Sequence, residues 1–241
     1  MFRYHLVRIW MYITSFLLLA HVHTEGRENI PDSGPFIVTV NHMSTADTPI
    51  LLIAFPVRPW RFFAGEKWKN HPIIGPIMGW LGAIYINRGE ADRKALKEAM
   101  DALKKGAIFG LAPEGTRSKN GQLNHARDGA AYLASRANVP ILPVGIANSD
   151  KLFANFKRLR PTRIEVHIGQ PYALPALGRR AKGDDLAAYT HLIMVKIAAL
   201  LPERYAGVYA DSPALAALRA GEDPWPYCQK AVSGEPITDN R

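Results

Sequence analysis

Cysteine is almost absent from this chain of 241 residues, since Cys228 is the only one. A single cysteine excludes an intrachain disulfide and any cysteine-rich metal site. The sequence also lacks the aromatic signature of RNA-recognition domains and the Cys/His spacing of zinc fingers. It has no internal repeat and no low-complexity tract. What is left is a chain long enough for one large domain with a substantial core.

Long apolar runs are scarce as well. The N-terminal run at residues 9–20 follows Arg3 and Arg8, and it falls short of the roughly 20 apolar residues that a membrane-spanning helix needs. Basic residues before a short apolar core also occur in signal peptides, but no clear small-x-small cleavage site follows here. We therefore expect residues 1–21 to form a hydrophobic helix, embedded in the membrane or lying at its interface, with its basic end toward the cytoplasm.

Charge is the first positive signal, because 30 Lys and Arg residues outnumber 21 Asp and Glu residues and give a net charge of +9. A basic protein of this kind favours an anionic partner: nucleic acid, a membrane surface or a phosphorylated substrate. Without a nucleic-acid motif, we expect no nucleic-acid partner and favour membrane lipids. The basic residues expected either to attract anionic headgroups or to dock an acidic carrier protein are Arg158, Arg160, Arg163, Arg179 and Arg180.

Short apolar strands alternate with amphipathic helices along the chain. Strands are predicted at residues 35–40, 60–64, 82–88, 107–111, 141–146 and 164–169, and helices at 48–54, 93–105, 126–137 and 184–201. This alternation predicts an α/β fold with a mostly parallel central sheet flanked by helices. The last strand has the polar alternation of a sheet edge.

Three other segments are less regular. Residues 21–33 are polar and are predicted to connect the N-terminal helix to the first strand. Residues 73–81 are apolar almost all round, which fits either a buried helix or a segment that dips into lipid. Residues 205–241 carry Pro, Gly and small residues and are predicted to form a loosely packed tail. The globular domain is therefore expected to cover residues 22–204.

Residues 41–47 are the stretch around which the chain is organised. His42 follows the predicted buried strand at 35–40 with one residue between them, and Asp47 lies near the start of the next helix. In a continuous helix the two would point about 140° apart, but a turn between them can bring the carboxylate back to the imidazole. Such a contact fixes the tautomer and leaves the other ring nitrogen free to take a proton from a hydroxyl. A packed histidine beside a helix-capping aspartate is the simpler alternative.

Two more strand ends are expected at the same edge of the sheet as His42, because the carboxyl ends of parallel strands meet there. One strand delivers Arg88, and another leads into the loop at residues 113–118. Gly115 in that loop lets a ligand approach the backbone, and Arg117 has two parallel donors for a phosphate. Lys67, after the second strand, is a third candidate cation. Together they predict an anion site beside a base.

Four blocks in a fixed order make the chain resemble a known family. They are Asn-His-Met-Ser-Thr-Ala-Asp at 41–47, Gly-Ala-Ile-Tyr-Ile-Asn-Arg at 82–88, Pro-Glu-Gly-Thr-Arg-Ser at 113–118 and Val-Pro-Ile-Leu-Pro-Val at 139–144. The third matches the family pattern outright, although Ala112 before it replaces the usual aromatic residue. The first has Thr45-Ala46 where larger or apolar residues are common, and the second has Tyr85 in place of the frequent Phe. Over about residues 22–170 the chain resembles the glycerolipid acyltransferases typified by 1-acylglycerol-3-phosphate (lysophosphatidic acid) acyltransferases.

The resemblance implies transfer of a fatty acyl group from acyl-CoA or acyl carrier protein to the free hydroxyl of 1-acylglycerol-3-phosphate. No side chain in the four blocks is a nucleophile placed to form an acyl-enzyme, so direct transfer is expected. His42 would be the general base and Asp47 would orient it. The residues implied to bind the substrate or shape its loop are Lys67, Arg88, Glu114, Gly115, Thr116 and Arg117. No metal and no cofactor beyond the thioester co-substrate are implied, and the site is expected on a membrane, facing the cytoplasm.

Three alternatives remain open from sequence. The acceptor can be another lysophospholipid or a lyso-aminolipid, because the four sequence blocks do not identify the headgroup of the acceptor. The chain can be a non-catalytic lipid-binding relative that keeps the scaffold. A basic nucleic-acid binder is the least favoured alternative, because only the net charge supports it.

Overall fold

The computed structural model describes residues 2–55, 60–86 and 92–233. Its strands are β1 Ala20–Glu25, β2 Phe36–Val40, β3 Trp60–Gly65, β4 Ala83–Ile86, β5 Ile108–Leu111, β6 Ile141–Ala147 and β7 Thr162–Ile168. Its helices are α1 Phe2–Leu17, α2 Asp47–Ala54, α3 Ile74–Leu81, α4 Arg93–Lys104, α5 Gly129–Ala137, α6 Leu152–Phe156, α7 Asp184–Ala198, α8 Pro213–Arg219 and α9 Trp225–Ser233.

The strands form one seven-stranded sheet in the order β1-β7-β6-β2-β5-β3-β4. The strands β2 to β6 are mutually parallel, whereas β1 and β7 are parallel to each other and β7 runs antiparallel to β6. The predicted mostly parallel α/β fold is therefore confirmed. The parallel arrangement brings the ends of β2, β3, β5 and β6 to one edge of the sheet, which is called the active rim below.

Two predictions at the far side of the sheet are wrong. The strand at 164–169 is not an edge strand, because β7 lies between β1 and β6. The edge is formed instead by β1, within a segment predicted as a polar connector at residues 21–33. Alternate residues of β1 are exposed, including His21 and His23, so its apolar content is too low for an apolar-run signal.

Helices cover both faces of the sheet, and successive residues of each central strand pack alternately against one face and the other. Phe36 and Val38 belong to a buried apolar cluster with residues of α1, α2 and α6. Ile37 belongs to the second cluster, with residues of α4, α5, α7, α8 and α9. This period of two explains why every residue of β2 is buried and why all of them except Thr39 are apolar, as expected for a strand covered on both faces.

The N-terminal segment is helical and packs on the protein. Helix α1 contacts α2, α3 and β1, and its Met11 is buried. Its outer side is apolar, with exposed Ile9, Trp10, Ile13 and Phe16. Within the described residues, no helix combines the length and the hydropathy that a membrane crossing requires. Membrane association of α1 therefore stays a prediction.

Helix α3 accounts for the apolar segment at 73–81. Only Gly75 and Leu81 of this helix are buried, whereas Ile73 and Trp80 are exposed. A fully buried helix is thus excluded. The helix ends at Gly82, which adopts the left-handed conformation (φ 89°) typical of a helix C-terminus.

The loose packing expected after residue 205 is wrong for the described part of that segment. Helices α8 and α9 pack against α7, and Tyr205, Tyr209, Leu215 and Cys228 are buried in the second cluster. Pro213 and Pro226 lie in the first turns of α8 and α9, where proline is compatible with a helix, and the buried alanines of α8 allow close packing. Cys228 is completely buried and therefore acts as a core residue.

Candidate active site

The end of β2 is tied to its neighbour β6 by one buried side chain. The Asn41 amide nitrogen donates to the Ile146 carbonyl at 2.8 Å, and its oxygen accepts from the Ile146 N–H at 2.7 Å. A side chain that bonds both backbone groups of one residue replaces the ladder where the strand ends. It fixes the point at which the chain leaves the sheet, and His42 is the next residue.

His42 and Asp47 are in direct contact. Nδ1 of His42 lies 2.8 Å from Oδ2 of Asp47, which also accepts the N–H groups of Met43 and Ser44 at 2.8 Å each. Asp47 is only 2% exposed and lies in the first turn of α2, where a carboxylate is favoured by the helix dipole. Because an ionised carboxylate only accepts hydrogen bonds, Nδ1 is the donor and Nε2 of the neutral ring is left as an acceptor.

Glu114 holds the backbone of His42. Its carboxylate accepts the His42 N–H at 3.1 Å through one oxygen, and the Asn124 backbone and side-chain N–H groups at 2.9 and 3.1 Å through the other. Ser118 donates its N–H to the His42 carbonyl at 2.7 Å. Glu114 is 3% exposed, and burial raises its pKa above the ordinary value. The loop at 113–118 therefore bonds both the N–H and the carbonyl group of His42.

A cavity of about 680 Å³ lies beside His42. Most of its lining is apolar and comes from α2, β3, α4 and β5, including Leu51, Trp60 and Phe62. Nε2 of His42 has no hydrogen-bond partner in the described part of the chain, and His42 lines the cavity. The site thus combines a free imidazole nitrogen with an apolar space of ligand size.

The loop residues Gly115 and Thr116 line this cavity, as does a cation that the sequence did not predict, Arg127. The Arg127 N–H donates to the Pro113 carbonyl at 2.9 Å. This hydrogen bond places residue 127 beside the start of the loop at 113–118. Gly115 has φ +69°, and a Cβ there would lie 3.5 Å from Cδ of Arg127. The glycine and the arginine side chain therefore face each other at the cavity.

The predicted cations are placed differently from one another. Arg117 is exposed, between Thr116, which lines the cavity, and Ser118, which holds His42. Lys67 lies in the single turn after β3 with Nζ 5.1 Å from the centre of the Trp68 ring, and it does not line the cavity. Arg88 lies outside the described residues. The structure therefore brings the Arg117 loop to His42 and leaves Lys67 apart from the cavity.

The sequence model of the acyltransferase family matches residues 21–147, which is more than half of the chain. The chain belongs to the acyltransferase family. The match spans the elements that build the site, from β1 to β6 and including the loop at 113–118. The family resemblance inferred from the four blocks is thus confirmed.

Named relatives of this acyltransferase-family chain agree. It is 30% identical over 154 residues to the chloroplastic 1-acyl-sn-glycerol-3-phosphate acyltransferase of Arabidopsis thaliana, covering 63% of this chain and 42% of that protein. It is 27% identical over 150 residues to the 1-acyl-sn-glycerol-3-phosphate acyltransferase of Borreliella burgdorferi, covering 61% of this chain and 60% of that protein. The matches thus span about half the length of these curated relatives.

A solved structure has the same fold. The crystal structure of the 1-acyl-sn-glycerophosphate acyltransferase from Thermotoga maritima superposes with a TM-score of 0.63 at 26% identity, covering 79% of this chain and 76% of that one. Sequence similarity and fold therefore point to the same family.

The residues that sequence reasoning missed in this member of the acyltransferase family share one property. Asn41, Asn124 and Arg127 act through contacts with residues distant along the chain. Asn41 gave a weak signal, because a polar residue at the end of an apolar strand needs a buried partner. Asn124 and Arg127 gave none, since their places depend on how the chain returns to the loop at 113–118.

Proposed function

We propose that this protein transfers a fatty acyl group from a thioester, acyl-CoA or acyl carrier protein, to the free hydroxyl of 1-acylglycerol-3-phosphate, which gives phosphatidic acid. The observation that carries the proposal is the His42–Asp47 pair at an apolar cavity that also contains a cation. The names of the relatives support the same acceptor. An apolar space suits the acyl chains, and the polar end suits a phosphorylated headgroup.

The reaction follows from the geometry of the pair. Nε2 of His42 removes the proton of the acceptor hydroxyl while its oxygen attacks the thioester carbonyl, and Asp47 stabilises the imidazolium through Nδ1. The tetrahedral intermediate then collapses, the new ester forms, and the C–S bond breaks. The departing thiolate takes the proton from Nε2, which restores neutral His42. The charge on the imidazole is therefore transient and is balanced by one buried carboxylate.

Direct transfer, without an acyl-enzyme, is part of the proposal. Neither serine nor cysteine is among the described residues that line the cavity. Ser44, the serine nearest to His42 along the chain, is buried, and its Oγ accepts the Ala46 N–H at 3.2 Å within the turn. A hydroxyl that stabilises the turn is poorly placed for attack, so the lipid hydroxyl is the nucleophile.

The acceptor phosphate is assigned to the polar side of the cavity. Arg127 supplies the cation that lines it, and Thr116 and the backbone at Gly115 supply further donors. Arg117, an exposed residue of the same loop, is a further proposed contributor. Lys67 and Arg88 remain proposed contributors, Lys67 from outside the cavity lining. Glu114 contributes by positioning His42, because both of its oxygens already accept hydrogen bonds from the protein.

Membrane association is proposed through α1. Its exposed apolar side fits the boundary between headgroups and acyl chains, where lysolipids reside. Its basic start favours the cytoplasmic side, so the site would face the cytoplasm. Placing the enzyme at the interface brings the cavity within reach of a lipid acceptor.

A panel of lysolipids, offered with one labelled acyl chain as the CoA thioester and as the carrier-protein thioester, tests the function. We expect labelled phosphatidic acid from 1-acylglycerol-3-phosphate and slower labelling of lysophospholipids whose phosphate is a diester. Preferred labelling of a lyso-aminolipid would show that this lipid, and not 1-acylglycerol-3-phosphate, is the acceptor. Binding of lysolipid without thioester consumption would instead identify a non-catalytic relative.

A further inference from the structure

Residues 153–160, which run from α6 into the connection to β7 and are called the connection here, expose three large apolar side chains. Phe153 is 45% exposed, Phe156 is 37% exposed and Leu159 is 80% exposed. Phe153 and Phe156 are three residues apart and so lie on one side of α6, while Leu152 is buried on the other. An exposed cluster of this size on a short connection indicates an interaction surface.

Leu159 is held in an unfavourable backbone conformation. Its φ is +53°, in the left-handed region that L-residues with a branched or bulky side chain rarely adopt. Hydrogen bonds fix it there: Leu159 N–H donates to the Phe156 carbonyl, and Arg158 and Arg160 N–H groups both donate to the Asn155 carbonyl, each at 2.9 Å. The connection thus keeps an apolar side chain in solvent at the cost of backbone strain, which is typical of functional surfaces.

Cations surround Leu159. Lys157, Arg158 and Arg160 are all exposed, and none of them forms an ion pair within the part of the chain that the structure describes. Apolar side chains interleaved with unpaired cations match an anionic lipid surface, where the cations meet phosphates and the apolar groups enter the acyl region.

The connection continues the apolar side of α1. The Thr162 N–H donates to the Leu19 carbonyl at 2.9 Å, so the start of β7 touches the chain just after α1. Phe16 and Leu17 at that end of α1 are exposed, and α1 and α6 cover the same face of the sheet. Since β7 begins where β6 ends, the connection also lies at the active rim.

We propose that residues 153–160 form a second membrane-docking surface, which binds anionic phospholipid beside α1 and turns the active rim toward the bilayer. A lipid surface is favoured over an acidic carrier protein because the exposed apolar groups continue those of α1. The proposal goes beyond acyl transfer and does not require it, since binding to vesicles is measured without substrates.

Charge removal tests the electrostatic part. The full-length variant K157Q/R158Q/R160Q is compared with K94Q/K97Q/K104Q, which removes the same charge from exposed positions of α4 on the opposite face of the sheet. On phosphatidylcholine vesicles containing phosphatidylglycerol, we expect the first variant to bind roughly tenfold or more weakly. The α4 variant should bind within about twofold of the unmodified protein, since α4 faces away from the bilayer. Equal binding by the two variants would overturn the proposal.

A fluorescent label tests the apolar part. Burial raises the pKa of the Cys228 thiol to about 12, so this native cysteine stays protonated and unreactive while a cysteine introduced by L159C is labelled. We expect an environment-sensitive dye there to shift to the blue on anionic vesicles, and the same dye after K97C to stay unchanged. A dye at 159 that remains in water, or a charge variant that loses only binding to acyl carrier protein, would contradict membrane docking. Thermal unfolding of each variant checks that it is folded.

Discussion

His42 is held by more of its surroundings than its partner acid alone. Asp47 bonds the ring, Glu114 accepts the backbone N–H, and Ser118 donates to the carbonyl. Each neighbour is itself fixed by burial or by a turn. In the proposed mechanism, a base held in this way needs little reorganisation when the acceptor hydroxyl approaches, and such positioning accelerates a reaction.

In the proposed function, Arg127 is the cation that lines the cavity and binds the acceptor phosphate. We expect R127Q to raise the KM for 1-acylglycerol-3-phosphate by about 10- to 100-fold, because hydrogen bonds to charged groups contribute about 1.5–3 kcal/mol. The exposed Lys119 does not line the cavity, and K119Q should leave the KM within about twofold. Steady-state kinetics with varied acceptor make the comparison. An unchanged KM for R127Q would remove Arg127 from the phosphate site.

The contact between His42 and Asp47 could be predicted from the sequence, but the position of Arg127 could not. His42 and Asp47 are five residues apart, so a single local turn joins them, and their contact was predicted. Arg127 reaches the site only because its N–H meets Pro113 after the chain has left the loop and returned. No local pattern encodes such a return, since it depends on packing between elements.

Among the elements, the loop at 113–118 connects the sheet to the site. Gly115 has φ +69° within it, a conformation that costs an alanine about 1–2 kcal/mol. A Cβ would make only ordinary contacts with Arg127, so strain and not lack of space is the expected effect. If the loop moved to relieve this strain, the hydrogen bonds that Glu114 and Ser118 make with the His42 backbone would shift.

We therefore expect G115A to lower both the thermal midpoint and the acyl-transfer rate, the rate by roughly tenfold or more, because small displacements of reacting groups are costly. Gly106 supplies a matched control. It has φ +81°, lies just after α4, and a Cβ there would meet nothing within 4 Å. G106A should lose similar stability and keep its activity per folded molecule. Equal loss of activity in both variants would show that the loop has no special role.

The strands were more predictable than the ends of the chain. The strands β2 to β6 are short apolar runs bounded by turns, and each was predicted within a few residues. The edge strand β1 was missed because half of its residues face solvent, so its apolar signal is diluted by His21, His23 and Glu25. The packed segment after residue 205 was missed because its alanines and prolines resemble a disordered composition until neighbouring helices bury them.

For the molecule as a whole, stability should respond to pH through a contact between α7 and the C-terminal segment. Nε2 of His191 lies 2.8 Å from the Ser212 hydroxyl, and burial lowers the pKa of His191 below its ordinary 6.5. The unfolded chain therefore binds a proton at higher pH than the folded protein. The stability contributed by His191 is present above pH 6.5 and is lost as the pH falls through its lowered pKa.

The variant H191Q keeps a polar group near Ser212 but does not titrate. We expect its free energy of unfolding, measured in urea at several pH values, to fall less than that of the unmodified protein between about pH 6.5 and pH 5. Glu114, whose pKa is raised, contributes in the opposite direction and equally in both proteins. The difference between the two curves therefore reports His191, and parallel curves would contradict the packing described for the C-terminal segment.

The most direct test of the account is the acyl-transfer rate of H42A at saturating thioester and lysolipid. We expect it to be at least about 100-fold below that of the unmodified protein, because the hydroxyl loses its general base. H42A should still fold and bind vesicles, and H125A, at an exposed histidine near the same loop, should keep the full rate. A rate for H42A equal to that of the unmodified protein would contradict the assignment of His42 as the base.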